Sequence, residues 1–174
     1  MKKLFLLIPL FFLSCSTKNQ VINSYTLGNA SVKAEKSEKS VCIDIDSEPI
    51  LKTRKIYWQK GYEKNPYLYS QWIDDFDSLI KKSVYNALFH SFKAVYFDNN
   101  CDINLKLFIT DATHVVTEKD SYVWLDIKAY ANGKAKDFNY KILCKKDAKS
   151  AVWAFNKAVK RFEEDLLKWL RKKG

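Results

Sequence analysis

Between residues 67 and 92 the chain reads YLYSQWIDDFDSLIKKSVYNALFHSF, where Trp72, Phe76, Leu79, Ile80, Ser83, Val84, Ala87, Leu88 and Ser91 recur at threes and fours. This spacing predicts one face of a long amphipathic helix. Ser70 stands at its N-cap, and Asp74, Asp75 and Asp77 fall in its first turns, where carboxylates meet the positive end of the helix dipole. Lys81, four residues after Asp77, adds a surface pair. A second helix is predicted after an N-cap at Asp147, with Ala148, Val152, Phe155, Val159, Phe162, Leu166 and Trp169 on its stripe. Ala151, Ala158 and Leu170 widen that stripe, which suits a helix lying on a sheet better than a narrow coiled-coil seam. Arg171, Lys172 and Lys173 close the helix at its negative end.

Elsewhere the period is two. Val41, Ile43 and Ile45 face inward on a strand ended by Pro49; Ile103, Leu105, Leu107 and Ile109 do so on another, and Val123, Leu125, Ile127 and Ala129 on a third. Asn132-Gly133 is a hairpin signal leading into a strand over Asp137 to Cys144, so these last strands form a meander. Ile50 to Gln59 reads as extended, Gly61 to Pro66 as a loop, and Ala94 to Phe97 as a short strand before the turn residues Asp98, Asn99 and Asn100. The layout predicts an α+β fold: a two-layer sandwich in which two long helices cover one face of a mainly antiparallel sheet. The opposite face would carry Phe108, Tyr122, Trp124 and Tyr130 among Lys106, Asp126 and Lys128. Aromatic rings gathered on a solvent-facing sheet mark a contact surface, or else pack across strands beneath a loop. Trp153 raises the same question on the last helix, beside Lys157, Lys160 and Glu164.

The N-terminus changes how the charge is read. Met1-Lys2-Lys3 is followed by an apolar run from Leu4 to Leu13, too short to span a bilayer, which takes about 20 residues. Residues 1–14 are expected to be a secretory signal. Phe12-Leu13-Ser14-Cys15 resembles the bacterial lipobox, which implies lipidation of Cys15 and cleavage before it; the plain alternative is an ordinary signal with a chance cysteine. Ser16 after the cysteine resembles the sorting pattern for the outer membrane, facing the periplasm. Residues 15–40 are polar and rich in Ser, Lys and Glu, which predicts a tether, with Tyr25-Thr26-Leu27 a short extended patch that docks on the domain. Residues 41–174 are expected to form one periplasmic α+β domain.

The formal charge is +10 over 174 residues. An exported protein meets no chromosome, so this charge is expected to face acidic lipid headgroups or an acidic protein, not nucleic acid. Cys42, Cys101 and Cys144 lack CxxC spacing; two of them form a disulfide, or all three are buried thiols. The four glycines, Gly28, Gly61, Gly133 and Gly174, are too dispersed for a phosphate loop, and His90 and His114 join no metal-ligand or nucleophile pattern. No cofactor or metal is expected, and the chain is read as a non-enzyme.

The assembled layout resembles the ABC-type transport auxiliary lipoprotein family, which serves lipid-trafficking systems built on mammalian-cell-entry (MCE) domain proteins. Three short marks carry the resemblance. Tyr25-Thr26-Leu27 matches the family's Tyr-x-Leu element, and Arg54 stands for the arginine that closes an extended segment. Tyr69-Ser70-Gln71-Trp72-Ile73-Asp74-Asp75-Phe76 corresponds to Tyr-x-Arg-Trp-Ala-Glu-Pro-Leu, with Tyr69 and Trp72 kept, the acid kept in kind at Asp74, and Gln71 and Asp75 replacing the arginine and proline. The resemblance implies a non-catalytic docking subunit, anchored in the outer membrane, whose partners are an MCE-domain protein with its inner-membrane permease and ATPase; the Phe108, Tyr122, Trp124 and Tyr130 face is expected to contact that partner or further copies of the chain. The alternative is an envelope-assembly lipoprotein, such as a lipopolysaccharide-transport plug or a cell-wall synthase activator. An enzyme or lipid carrier with an enclosed apolar cavity is a third reading.

Overall fold

A computed structural model describes residues 21–28, 36–97 and 100–173. The expected signal, Cys15 and part of the expected tether lie outside the described residues. The chain runs β1 (Asn23–Tyr25), β2 (Ser37–Ser47), a 3₁₀ turn (Pro49–Leu51), β3 (Lys55–Lys60), β4 (Glu63–Trp72), α1 (Phe76–Ser91), β5 (Phe92–Tyr96), β6 (Ile103–Val116), β7 (Ser121–Ala131), β8 (Lys134–Leu143) and α2 (Ala148–Lys173). The fold is α+β, with eight strands in one sheet and two long helices.

The longest strand, β6, is the spine. Along one edge β7 runs antiparallel from Leu105 to Val116, and β8 continues the expected meander. The other edge of β6 is shared: β2 lies parallel along Ile103 to Ile109, and β3 takes over at His114 and Val115. The sheet therefore forks. One arm ends in β5, parallel to β2; the other ends in β4, antiparallel to β3, and then β1, parallel to β4. The sheet is thus mixed, because β2 and β6 are separated by a long crossover containing α1, and such a connection allows parallel neighbours.

Two local expectations are corrected. The helix expected from Ser70 begins at Phe76, with Asp75 at its N-cap position; Tyr67 to Trp72 is strand instead. That segment has β3 along one edge and β1 along the other, and its backbone pairing overrides the helical spacing that runs from Trp72 into Phe76. The loop expected over Gly61 to Pro66 shrinks to a turn at Gly61-Tyr62, where Gly61 has φ +59°, a conformation that suits glycine. Pro66 is tolerated in β4 because β1 reaches only Ser70 to Trp72, leaving that part of the strand free on one side among the described residues.

The second helix follows the sequence closely. Asp147 caps it, accepting from the Ser150 N–H at 2.8 Å and the Ser150 hydroxyl at 2.9 Å. Its buried stripe from Ala151 to Leu170 packs on β7, β8 and α1. Trp72, Phe76 and Phe155 interlock with ring centroids 5.1 to 5.6 Å apart, and Phe138 meets Phe162 at 5.2 Å. Edge-on and tilted contacts of this kind add stabilisation beyond the area they bury. Cys42 and Cys101 form a disulfide across 59 residues, leaving Cys144 as a half-buried free thiol. Among the described residues no helix is long and apolar enough to cross a membrane.

Candidate interaction surfaces

The positions that carry the sequence resemblance converge on one corner of the fold. The strand containing Tyr25 pairs with the end of β4, setting Tyr25 beside Trp72 and Ser24 beside Gln71. The Ile73 N–H donates to the Tyr25 carbonyl at 2.7 Å, locking the chain as it leaves β4. Arg54 holds the same spot from the other side: the Trp72 N–H donates to its carbonyl at 2.7 Å, and its guanidinium Nε donates back to the Trp72 carbonyl at 3.2 Å. Leu27 is buried with Trp72 in the core. Tyr69 and Asp74 are exposed on the same corner, and Gln71 donates to the Ser24 hydroxyl at 3.3 Å. Residues nearly fifty positions apart thus build a clasp around Trp72, the ring that anchors the aromatic core.

The outer aromatics are spread along the β6–β7–β8 ladder. Lys128 stands opposite Phe108, and Lys106 opposite Tyr130. Trp124 lies between Thr113 and Lys141, and Tyr122 between Val115 and Leu143. The Lys141 ammonium sits 4.1 Å from the centre of the Tyr122 ring, within reach of a cation–π attraction. Phe108, Tyr122 and Trp124 are half-buried and Tyr130 is 49% exposed. This face is an aromatic surface interleaved with lysines. Trp153 projects from α2 at 58% exposure under the Lys157 ammonium.

A second aromatic surface was not singled out by the sequence pattern. Tyr85 and Phe89 lie one turn apart on α1, off its buried stripe, and Phe97 stacks on Tyr85 at 5.5 Å with planes 8° apart. Phe97 is 81% exposed. The i, i+4 spacing of Tyr85 and Phe89 was the one available signal, whereas Phe97 joins them only through the path of β5. Beside this ladder a groove of 690 Å³ opens between α1 and the β2 edge, walled by Lys81, Lys82, Tyr85 and Phe97.

His114 is fully buried within β6. The Ser121 hydroxyl donates to the Lys145 carbonyl at 3.3 Å, so it accepts from the His114 Nε2–H, and Nδ1 then accepts from the Tyr67 hydroxyl at 2.6 Å. Burial lowers the His114 pKa and pushes Tyr67 up to about 12, which keeps both neutral. With Ser121 buried and its proton committed to a carbonyl, this chain of groups ties β4, β6 and β7 to the entry of α2. His90 is exposed, its ring edge-on to Phe89. Among the described residues no three His, Cys, Asp or Glu side chains gather to hold a metal.

No family model matches the chain, and no curated protein matches it. Solved structures do. The crystal structure of protein XCC0632 from Xanthomonas campestris, of family DUF330, superposes with a TM-score of 0.69 at 13% identity, covering 86% of this chain and 93% of that one. A crystal structure of an uncharacterised protein gives a TM-score of 0.62 at 9% identity, covering 86% of this chain and 99% of that one. At these identities the likeness is one of fold, and it extends over nearly the full length of each neighbour.

Proposed function

We propose that this protein is a lipid-anchored, non-catalytic docking subunit of an MCE-type, ABC-driven lipid transport assembly, held by Cys15 in the outer membrane and facing the periplasm. The observation that carries the reading is the clasp: Tyr25, Arg54 and Trp72, matched to a family pattern from sequence, meet in one structural unit, and Leu27 is buried in the same core. Such convergence is expected if the short matches are parts of one element and not chance likenesses. The Cys42–Cys101 disulfide suits an oxidising compartment, in keeping with export. In this reading the domain is a two-layer sandwich, and alternate burial along β6 and β7 supports it: Leu105, Leu107, Val123, Leu125 and Ile127 are sealed, while Lys106, Lys128 and Tyr130 are open.

The aromatic, lysine-interleaved face of β6 and β7 is the contact surface in this reading, used toward the MCE-domain partner or further copies of the chain. Rings with polar tips set among cations suit an interface that is both apolar and charge-selective. Replacing Trp124 and Tyr130 together with alanine is expected to weaken co-purification of the partner while leaving the fold intact. Unchanged partner recovery would remove this face from the account. Lipid co-purifying stoichiometrically with the protein would point instead to a carrier.

A further inference from the structure

We propose that the open edge of β2 between Ile43 and Ser47 receives an extended, acidic segment of a partner protein, added as a strand, with one large apolar side chain seated against Tyr85 and Phe97. On one side β2 continues along β6 as far as Ser47, but on the other β5 accompanies it only to Cys42. The Glu48 N–H donates to the Ile109 carbonyl at 3.0 Å, so Glu48 turns toward β6. Counting back by twos, Asp46 and Asp44 also turn inward, and Ser47, Ile45 and Ile43 present their backbone groups to the free edge. The Ser47 N–H is met by the Asp46 carboxylate at 2.8 Å. Among the described residues no strand pairs with the edge at Ile43 and Ile45.

That stretch of edge is the floor of the 690 Å³ groove, which also includes Asn104, Leu105 and Lys106. The groove therefore offers the three things strand addition uses: unpaired backbone groups, a pocket for a side chain, and charge to select the sequence. Lys81, Lys82 and Lys106 line it against Asp44 alone, and Lys81 is shared with Asp77 at 2.8 Å. Lysines beside an edge discourage pairing with another copy of this basic chain and favour a carboxylate-bearing strand. An acyl chain could use the aromatic wall and the lysines but would leave the edge hydrogen bonds unmade, so the edge favours a polypeptide. This inference is independent of the transport reading, because an acidic strand could belong to a partner of either kind.

The test is a display selection of random short peptides against the full-length protein in detergent micelles, followed by amide hydrogen exchange with the selected peptide. The expected binders are acidic and carry an aromatic or large aliphatic residue. Exchange at the Ile43 and Ile45 amides should slow by about tenfold or more, and reversing charge at Lys82→Glu with Lys106→Glu should weaken binding by about tenfold. Ile45→Pro removes the central outward donor and should abolish binding; if it disturbs the fold, the charge-reversal pair still decides. A selection without acidic bias or without binders, protection elsewhere on the sheet, or indifference to charge reversal would overturn the proposal. So would protection of the two amides by phosphatidylglycerol vesicles in place of peptides.

Discussion

Two clusters of aromatic rings sit at opposite ends of α1 with nearly the same spacing and opposite consequences. At its start, Trp72, Phe76 and Phe155 lie 5.1 to 5.6 Å apart and all are at most 2% exposed. Toward its end, Tyr85 stands 6.1 Å from Phe89 and 5.5 Å from Phe97, yet Phe89 and Phe97 are 51% and 81% exposed. Ring contact alone therefore does not identify a core. The first cluster is closed by α2 and clasped by β1 and Arg54, whereas the second has lysines and a groove for neighbours. Burial assigns the first to stability and leaves the second free for recognition.

The comparison breaks most directly at Trp72. Trp72→Ala removes the ring at the centre of the clasp and should cost about 3–5 kcal/mol of stability, read by denaturant unfolding. A loss below about 1 kcal/mol would mean that the clasp does not anchor the core. Removing the disulfide by Cys42→Ser with Cys101→Ser should cost about 4 kcal/mol from the entropy of the long loop it closes. Unfolding under reducing and oxidising conditions measures the same term without mutation.

Glu163 is fully buried between α2 and α1, with Oε1 accepting from the Ser83 hydroxyl at 2.5 Å and Oε2 unpartnered among the described residues. Burial raises its pKa from 4.5 to about 7. The folded state thus holds a proton that the unfolded state releases at lower pH, so stability is full below pH 4.5 and falls as pH rises toward about 7. The fall should reach at most about 3 kcal/mol, and Glu163→Gln should flatten it in unfolding curves taken across that range. The smallest effect belongs to the open cluster: Phe97→Ala should change stability by less than about 1 kcal/mol, because the ring is mostly in water. A larger loss would mean that the exposed ladder is structural after all.

The same contrast explains what the sequence disclosed. The stripe of α2 was legible almost residue by residue, as was the β6–β7–β8 meander, because each is set by local period and a short turn. The start of α1 was not, since the strand character of Tyr67 to Trp72 comes from β1 and β3, elements distant in sequence. The fork at β6 was hidden for the same reason. Spacing left the cysteine pairing open, and the register of β2 between β5 and β6 decides it by bringing Cys42 beside the turn that carries Cys101. The outer aromatics of β7 could be placed by alternation, but the ladder of Tyr85, Phe89 and Phe97 and the free edge of β2 exist only in three dimensions.

The most direct measurement of the central claim is light crosslinking of the full-length protein in its native cells, followed by affinity purification and mass spectrometry. The account predicts recovery of an MCE-domain protein together with its permease and ATPase. Recovery of an outer-membrane barrel or a cell-wall synthase in their place would contradict it and make this protein an envelope-assembly factor.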